Sequence, residues 1–188
     1  MEQIFEKQEM VSIKKSKNTE LIEIDEKIYI RQINPGVIIL PYVLDEQGNP
    51  SHIGILSEIL DQRPGGISKT LITGTPDDID ENIFQTAIRE LKEESGFEVT
   101  DIKRWNFLGS LYTSKLVLNS NPCFSVNITS IVAEDRTTDG TKSEKDSKFE
   151  LIGVEESLSL EDSLISTLFI KTFKDLFIKK IENEKSPK

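Results

Sequence analysis

Glu81, Arg89, Glu90, Glu93 and Glu94 fall within one stretch, Gly74 to Phe97, and are the residues whose types and spacing point most directly to chemistry. Wound at about 100° per residue, Glu90, Glu93 and Glu94 gather on one flank, within about 100° of one another. Ile83, Phe84, Ala87, Ile88 and Leu91 form an apolar stripe about 140° wide beside them, and Glu94 lands just inside its edge. Glu90 and Glu94 are like charges one turn apart, a cost of about 0.2–0.5 kcal/mol before any burial. A carboxylate at an apolar margin also needs a partner, because unpaired buried charge is expensive. A divalent cation is the natural counter-charge, since Mg2+, or Mn2+ in its place, takes oxygen ligands and tolerates several carboxylates. The plainer reading of an Arg-Glu-x-x-Glu-Glu run taken alone is a solvated helix face.

The elements that must position these groups follow from the flanking residues. A Gly-Thr-Pro-Asp-Asp turn opens the stretch, and Asn82 with Gln85 three residues later reads as a capping-box variant. With Gly96 as a left-handed stop, the helix is placed at about 83–95. Upstream, β-like pieces at about 20–24 and 27–33 flank Asp25-Glu26, and the Lys14–Lys17 cluster reads as a solvated face. Val37 to Leu44 is a continuous apolar run that fits a buried strand. The Asp45–Pro50 turn then pairs it with a strand at about 51–58. Arg63-Pro64-Gly65-Gly66 marks a loop, and Thr70 to Thr73 delivers the chain into Gly74. Downstream, Glu98–Thr113 carries alternating segments, Cys123–Ala133 reads as a strand, and Phe149–Val154 as another. Leu164, Ile165, Leu168, Phe169, Phe173, Leu176 and Phe177 recur at helical spacing and are expected in the core.

The glutamate stretch resembles the signature of the Nudix hydrolase superfamily, G-x5-E-x7-R-E-U-x-E-E-x-G-U, where U is a bulky apolar residue. Arg89-Glu90-Leu91-Lys92-Glu93-Glu94-Ser95-Gly96-Phe97 fills every specified position of its second half. Seven residues separate Glu81 from Arg89, as the signature requires, but six residues rather than five separate it from Gly74. This is read as a one-residue insertion in the turn; the other register pairs Gly74 with Asp80.

The resemblance covers residues 36–181 and implies an α/β/α sandwich with a mixed β-sheet, an α+β fold, preceded by an N-terminal β extension over residues 1–35. Residues 182–188 are expected to fray. It further implies a Mg2+-dependent hydrolase (Mn2+ as the alternative ion) acting on the pyrophosphate linkage of a nucleoside diphosphate derivative. Glu90, Glu93 and Glu94 would hold the metal with the Thr73 backbone carbonyl. Arg89 and Glu81 would form the ion pair that steadies them. An acidic residue of the Glu134–Ser147 loop, Glu144 first and then Asp146, with Glu134 or Asp139 also open, would serve as general base or metal ligand.

Gly109–Ser114 followed by a strand ending Ala133-Glu134 is similar to the ADP-ribose and nucleoside-diphosphate-sugar pyrophosphatase branch, which implies ADP-ribose or a similar sugar nucleotide as substrate. That branch uses its N-terminal extension to form a homodimer. The Pro-Ala-Gly and Gln-Tyr-Arg segments usual there are absent; Ile72-Thr73-Gly74 and Leu56–Leu60 stand in their places. An NTP or dinucleoside polyphosphate pyrophosphohydrolase, or a nucleotide-binding module that does not cleave, are the alternatives.

Composition narrows the remaining classes. The chain of 188 residues suits a domain with a sizeable core. Its 33 acidic against 23 basic residues leave a net charge of −10, which argues against nucleic acid or an anionic membrane as partner. One cysteine, Cys123, and one histidine, His52, build neither a disulfide nor a Cys/His zinc site. With no apolar run of spanning length and a polar start unlike a signal peptide, a cytoplasmic protein is expected. His52 reads as an exposed residue and Cys123 as structural. Trp105, Phe107 and Tyr112 read as core aromatics before base-stacking platforms. Arg63 and Lys69 read as solvated charges before phosphate contacts.

Overall fold

The computed structural model describes residues 10–59, 66–136 and 147–185. Three short strands come first, β1 (Val11–Lys15), β2 (Thr19–Ile24) and β3 (Lys27–Gln32), paired antiparallel in that order. Asp25 and Glu26 join β2 to β3 with φ of 51° and 63°, the doubly left-handed geometry that matches the twist of a two-residue hairpin. Every residue of β1 is exposed, Lys14 and Lys15 among them. Ile30 of β3 ties this small sheet to the 114–118 segment, donating to the Leu116 carbonyl and accepting from Leu118 N–H, each at 2.8 Å.

A seven-stranded mixed sheet forms the centre. Its strands are β4 (Val37–Leu44), β5 (Pro50–Ile59), β6 (Ile67–Thr70), β7 (Ile72–Gly74), β8 (Trp105–Leu111), β9 (Asn121–Asn127) and β10 (Lys148–Gly153). The spatial order is β10-β5-β4-β9-β8, with β6 paired to β5 and β7 to β4. The β4–β9 pair is parallel and the other pairs are antiparallel. The described residues also form three α-helices, α1 (Ile83–Ser95), α2 (Val154–Leu158) and α3 (Ser163–Lys185). None of the described helices is long and apolar enough to cross a membrane.

The unbroken apolar run of β4 has a direct cause. Val37 and Ile39 point into a cluster with Ala87 and Leu91 of α1, while Ile38, Leu40 and Tyr42 point into another with Ile165, Leu168 and Phe169 of α3. A strand covered on both faces has no solvent side and therefore no polar alternation. The expected α/β/α layering with a mixed sheet is the observed one. Leu91 is wholly buried at the α1 layer, so truncating it to alanine would cost about 2–5 kcal/mol.

Several local expectations are corrected. The strand read over Cys123–Ala133 ends at Asn127, because the Asn127 side chain accepts from Thr129 N–H and Ser130 turns the chain with φ of 63°. The apolar stripe of α3 is buried only as far as Phe173; Leu176 and Phe177 are exposed. The helix itself runs to Lys185. Trp105 is core, whereas Phe107 and Tyr112 are exposed. His52 is exposed and Cys123 is fully buried, its thiol pushed up by burial to about 11 and so inert.

Candidate functional site

Helix α1 starts and stops where its caps dictate. Asn82 stands in extended conformation and its side-chain oxygen accepts from Phe84 N–H and Gln85 N–H at 3.0 and 3.1 Å. Gly96 closes the helix at φ 77° and donates to the Lys92 carbonyl. Between these caps the helix leans so closely on β7 that a Cβ added to Gly74 would lie 1.9 Å from the Glu90 carboxyl carbon. Only glycine leaves room there, and this contact seats Glu90 against the strand end.

That seating places Glu90 and Glu94 9% and 8% exposed, while Glu93 is half-buried. Burial is the largest influence on Glu90 and lifts its carboxyl to about 7; the Arg89 charge opposes the shift and Glu93 and Glu94 add to it. Burial likewise lifts Glu94 above the ordinary carboxylate range. Arg136 opposes that rise, while Glu58 of β5 and Glu93 add to it. Both carboxylates therefore carry an electrostatic cost that a further cation would relieve.

Arg89 is the hub at one end. Its Nε and Nη2 donate to the Asp80 carboxylate, with the shortest contact at 2.9 Å. Its Nη2 also donates to the Thr75 carbonyl at 2.8 Å, and its Nη1 to Glu90 at 2.9 Å and Glu93 at 2.8 Å. The hydrogen bond from Arg89 is the main reason Asp80 is held below its usual value. The expected Arg89–Glu81 pair is not formed. Asp80 takes that place, separated from Gly74 by five residues, and Glu81 is exposed at the helix entrance. The physical reason is the turn: Asp80 is fixed by accepting from Asp77 N–H at 2.9 Å, which turns its carboxylate inward. The extra residue thus lies between the acid and Arg89, not in the Gly74 turn.

A second guanidinium that the sequence reading missed closes the other end. Arg136 Nη2 donates to Glu94 Oε2 at 2.9 Å and to Ser147 Oγ at 2.9 Å, and its Nη1 to the Ser147 carbonyl at 2.8 Å. The approach is imposed by the backbone: Glu134 N–H donates to the Gly96 carbonyl at 2.9 Å, and a Cβ on Gly96 would meet the Glu134 carbonyl at 2.1 Å. Arg136 is the one arginine in the 134–147 stretch, the signal that could have marked it. Glu144, with Asp139 and Asp146, lies outside the described residues, as does Arg63. Glu134 serves the helix cap through its backbone.

As the side chains stand, no group of three or more His, Cys, Asp or Glu residues among those described is disposed to hold a metal ion. Each glutamate instead faces a guanidinium, Glu90 and Glu93 that of Arg89 and Glu94 that of Arg136. In kind the donors fit Mg2+ or Mn2+: Glu90, Glu93 and Glu94 offer only hard oxygens, and two of them are buried and crowded. Thr73, the expected carbonyl donor, stands in β7 opposite Ile38, next to the glycine on which Glu90 packs. A cleft of about 280 Å³ shares Gly74 and Thr75 with this site and is lined by uncharged side chains, the polar Gln32, Asn34, Thr73 and Asn121 together with the apolar Val37, Ile38 and Leu164.

No protein-family model matches the chain, and no curated protein matches it. Among solved structures, it is similar to the NUDIX domain of Shewanella oneidensis NrtR, determined in complex with ADP-ribose. The TM-score is 0.54 at 13% identity, covering 76% of this chain and 88% of that one. At this identity the likeness is one of architecture, and it agrees with the layering described above: the chain has a Nudix-type fold.

Proposed function

We propose that the protein is a Mg2+-dependent hydrolase that cleaves the pyrophosphate linkage of a nucleoside diphosphate derivative, with ADP-ribose or a similar sugar nucleotide as substrate. The observation that carries this reading is the buried pair Glu90 and Glu94 on one flank of α1, with Glu90 packed on Gly74 at the mouth of an uncharged cleft. The similarity to a fold that holds ADP-ribose in another protein supports the choice of ligand class.

In this reading Glu90, Glu93 and Glu94 hold the divalent ion with the Thr73 carbonyl, and the ion when bound supplies charge neutralisation for the diphosphate. Arg89 fixes the direction of Glu90 and Glu93, and Asp80 fixes Arg89, so the carboxylates meet the substrate already oriented. The cleft takes the uncharged part of the ligand and leaves the diphosphate at the carboxylates. Water adds to one phosphorus, the bridging P–O bond breaks, and the water's proton passes to a carboxylate base. The products are a nucleoside monophosphate and the phosphorylated second moiety.

Incubation with Mg2+ and a panel of ADP-ribose, sugar nucleotides, dinucleoside polyphosphates and NTPs tests this directly. Release of a nucleoside monophosphate, lost in Glu94→Gln, is the expected result. No turnover of any of them, or full activity in Glu94→Gln, overturns it. A second reading, a nucleotide-binding module that does not cleave, is favoured by the engagement of all three glutamates by Arg89 and Arg136. Saturable binding that is indifferent to Mg2+, without hydrolysis, is its signature.

A further inference from the structure

We propose that Arg136 is a resident counter-cation that competes with the divalent ion for the Glu94 carboxylate, so that loading of the metal requires this guanidinium to leave. The inference rests on the reading that Glu90 and Glu94 hold a metal, and adds how access to that site is controlled.

Three features of the geometry lead to it. Arg136 Nη2 lies 2.9 Å from Glu94 Oε2, so the oxygen that would face a metal already accepts from a full positive charge. A doubly charged ion bound to the same carboxylate would sit at like-charge distance from the guanidinium, in partly buried surroundings where screening is weak. The two cations therefore exclude one another.

The guanidinium is also held independently of Glu94. Ser147 takes one donor on its carbonyl and another on its Oγ, and the Glu134–Gly96 backbone contact brings the chain to this spot whatever occupies Glu94. Yet the pairing is incomplete. Arg136 Nε is buried, and the described residues offer it no acceptor, which costs stability in the closed arrangement and favours exchange. A permanent structural pair would satisfy the whole fork, as Arg89 does beside the same carboxylates, where Nε, Nη1 and Nη2 all have acceptors.

The test is a Mn2+ titration of the full chain, with free Mn2+ followed by electron paramagnetic resonance. Arg136→Gln is expected to bind Mn2+ about tenfold more tightly than the parent protein, or about 1.4 kcal/mol. Arg136→Lys, a point charge without the fork, is expected to fall between them. In a Glu94→Gln background, Arg136→Gln should change nothing, because the contested carboxylate is gone. Ser147→Ala, which loosens the guanidinium without leaving Glu94 unpaired, should tighten binding by a smaller factor and serves if Arg136→Gln fails to fold. Equal or weaker Mn2+ binding in Arg136→Gln or Ser147→Ala overturns the inference while leaving the hydrolase reading intact. The same gain with and without Glu94 also overturns it. Absence of Mn2+ binding in every variant overturns both.

Discussion

The two arginines beside helix α1 hold its carboxylates by different means. From the middle of the helix, Arg89 draws all its acceptors from residues 75 to 93 and leaves no nitrogen of its fork idle. Toward the C-terminal end, Arg136 reaches Glu94 from 42 residues away, is anchored on Ser147, and strands its Nε. The first arrangement is scaffold: turn, acid, arginine and glutamates fold as one local unit. The second depends on a contact between distant segments and can be undone without unwinding the helix. A site that must be rigid yet admit a second cation gains from having one of each.

Arg89→Ala should therefore show the largest effect. It would leave Asp80, Glu90 and Glu93 without their shared cation, and removal of one partner from such a network typically costs about 3–5 kcal/mol. Urea unfolding should register that loss, with hydrolysis falling by at least about a hundredfold because Glu90 and Glu93 lose their orientation. Arg136→Ala should cost markedly less stability. Equal destabilisation by the two changes would break the contrast between scaffold and exchangeable contact.

What could be read from the sequence follows the same division. Helix α1 was legible to the residue because both caps are local chemistry, Asn82 before it and Gly96 after it. The double covering of β4 was legible from its unbroken apolar run. Arg136 was not, because nothing in the order of residues announces that the Glu134 backbone will dock on Gly96. The end of β9 was missed for a related reason: Ser125, Val126 and Ile128 continue a strand-like pattern, and only the Asn127–Thr129 side-chain contact halts it. The Asp80 register was visible as a spacing, but the motif's preference for glutamate pointed one residue further on.

An intermediate effect depends on pH. Burial raises Glu90 from 4.5 to about 7, so the folded protein binds its proton more tightly than the unfolded chain does. The stability this gives is fully present below about 4.5 and is lost as pH rises through about 7. A shift of about 2.5 units corresponds to about 3 kcal/mol at its limit. In metal-free buffer, Glu90→Gln should gain on the parent protein by about 2–3 kcal/mol between about pH 5 and pH 8, read from paired denaturation curves. A constant difference across that range would mean that burial does not raise Glu90, because Arg89 offsets it in full.

The finest test distinguishes two neighbours. Asp80 accepts from Arg89 and from Asp77 N–H, and its carboxyl is held below the usual range mainly by the Arg89 hydrogen bond. Asp80→Asn weakens a charge-assisted pair and should cost about 1.5–3 kcal/mol, together with activity. That contribution is present above the unfolded pKa of Asp80 and disappears as pH falls through the depressed folded value, the reverse of Glu90. Glu81 is exposed, so Glu81→Gln should stay within about 0.5 kcal/mol of the parent protein and leave hydrolysis unchanged. Were Glu81→Gln the damaging change and Asp80→Asn the silent one, the extra residue would lie in the Gly74 turn after all. The scaffold around Arg89 would then be built on the spacing of the signature rather than on the geometry of the Asp77–Asp80 turn.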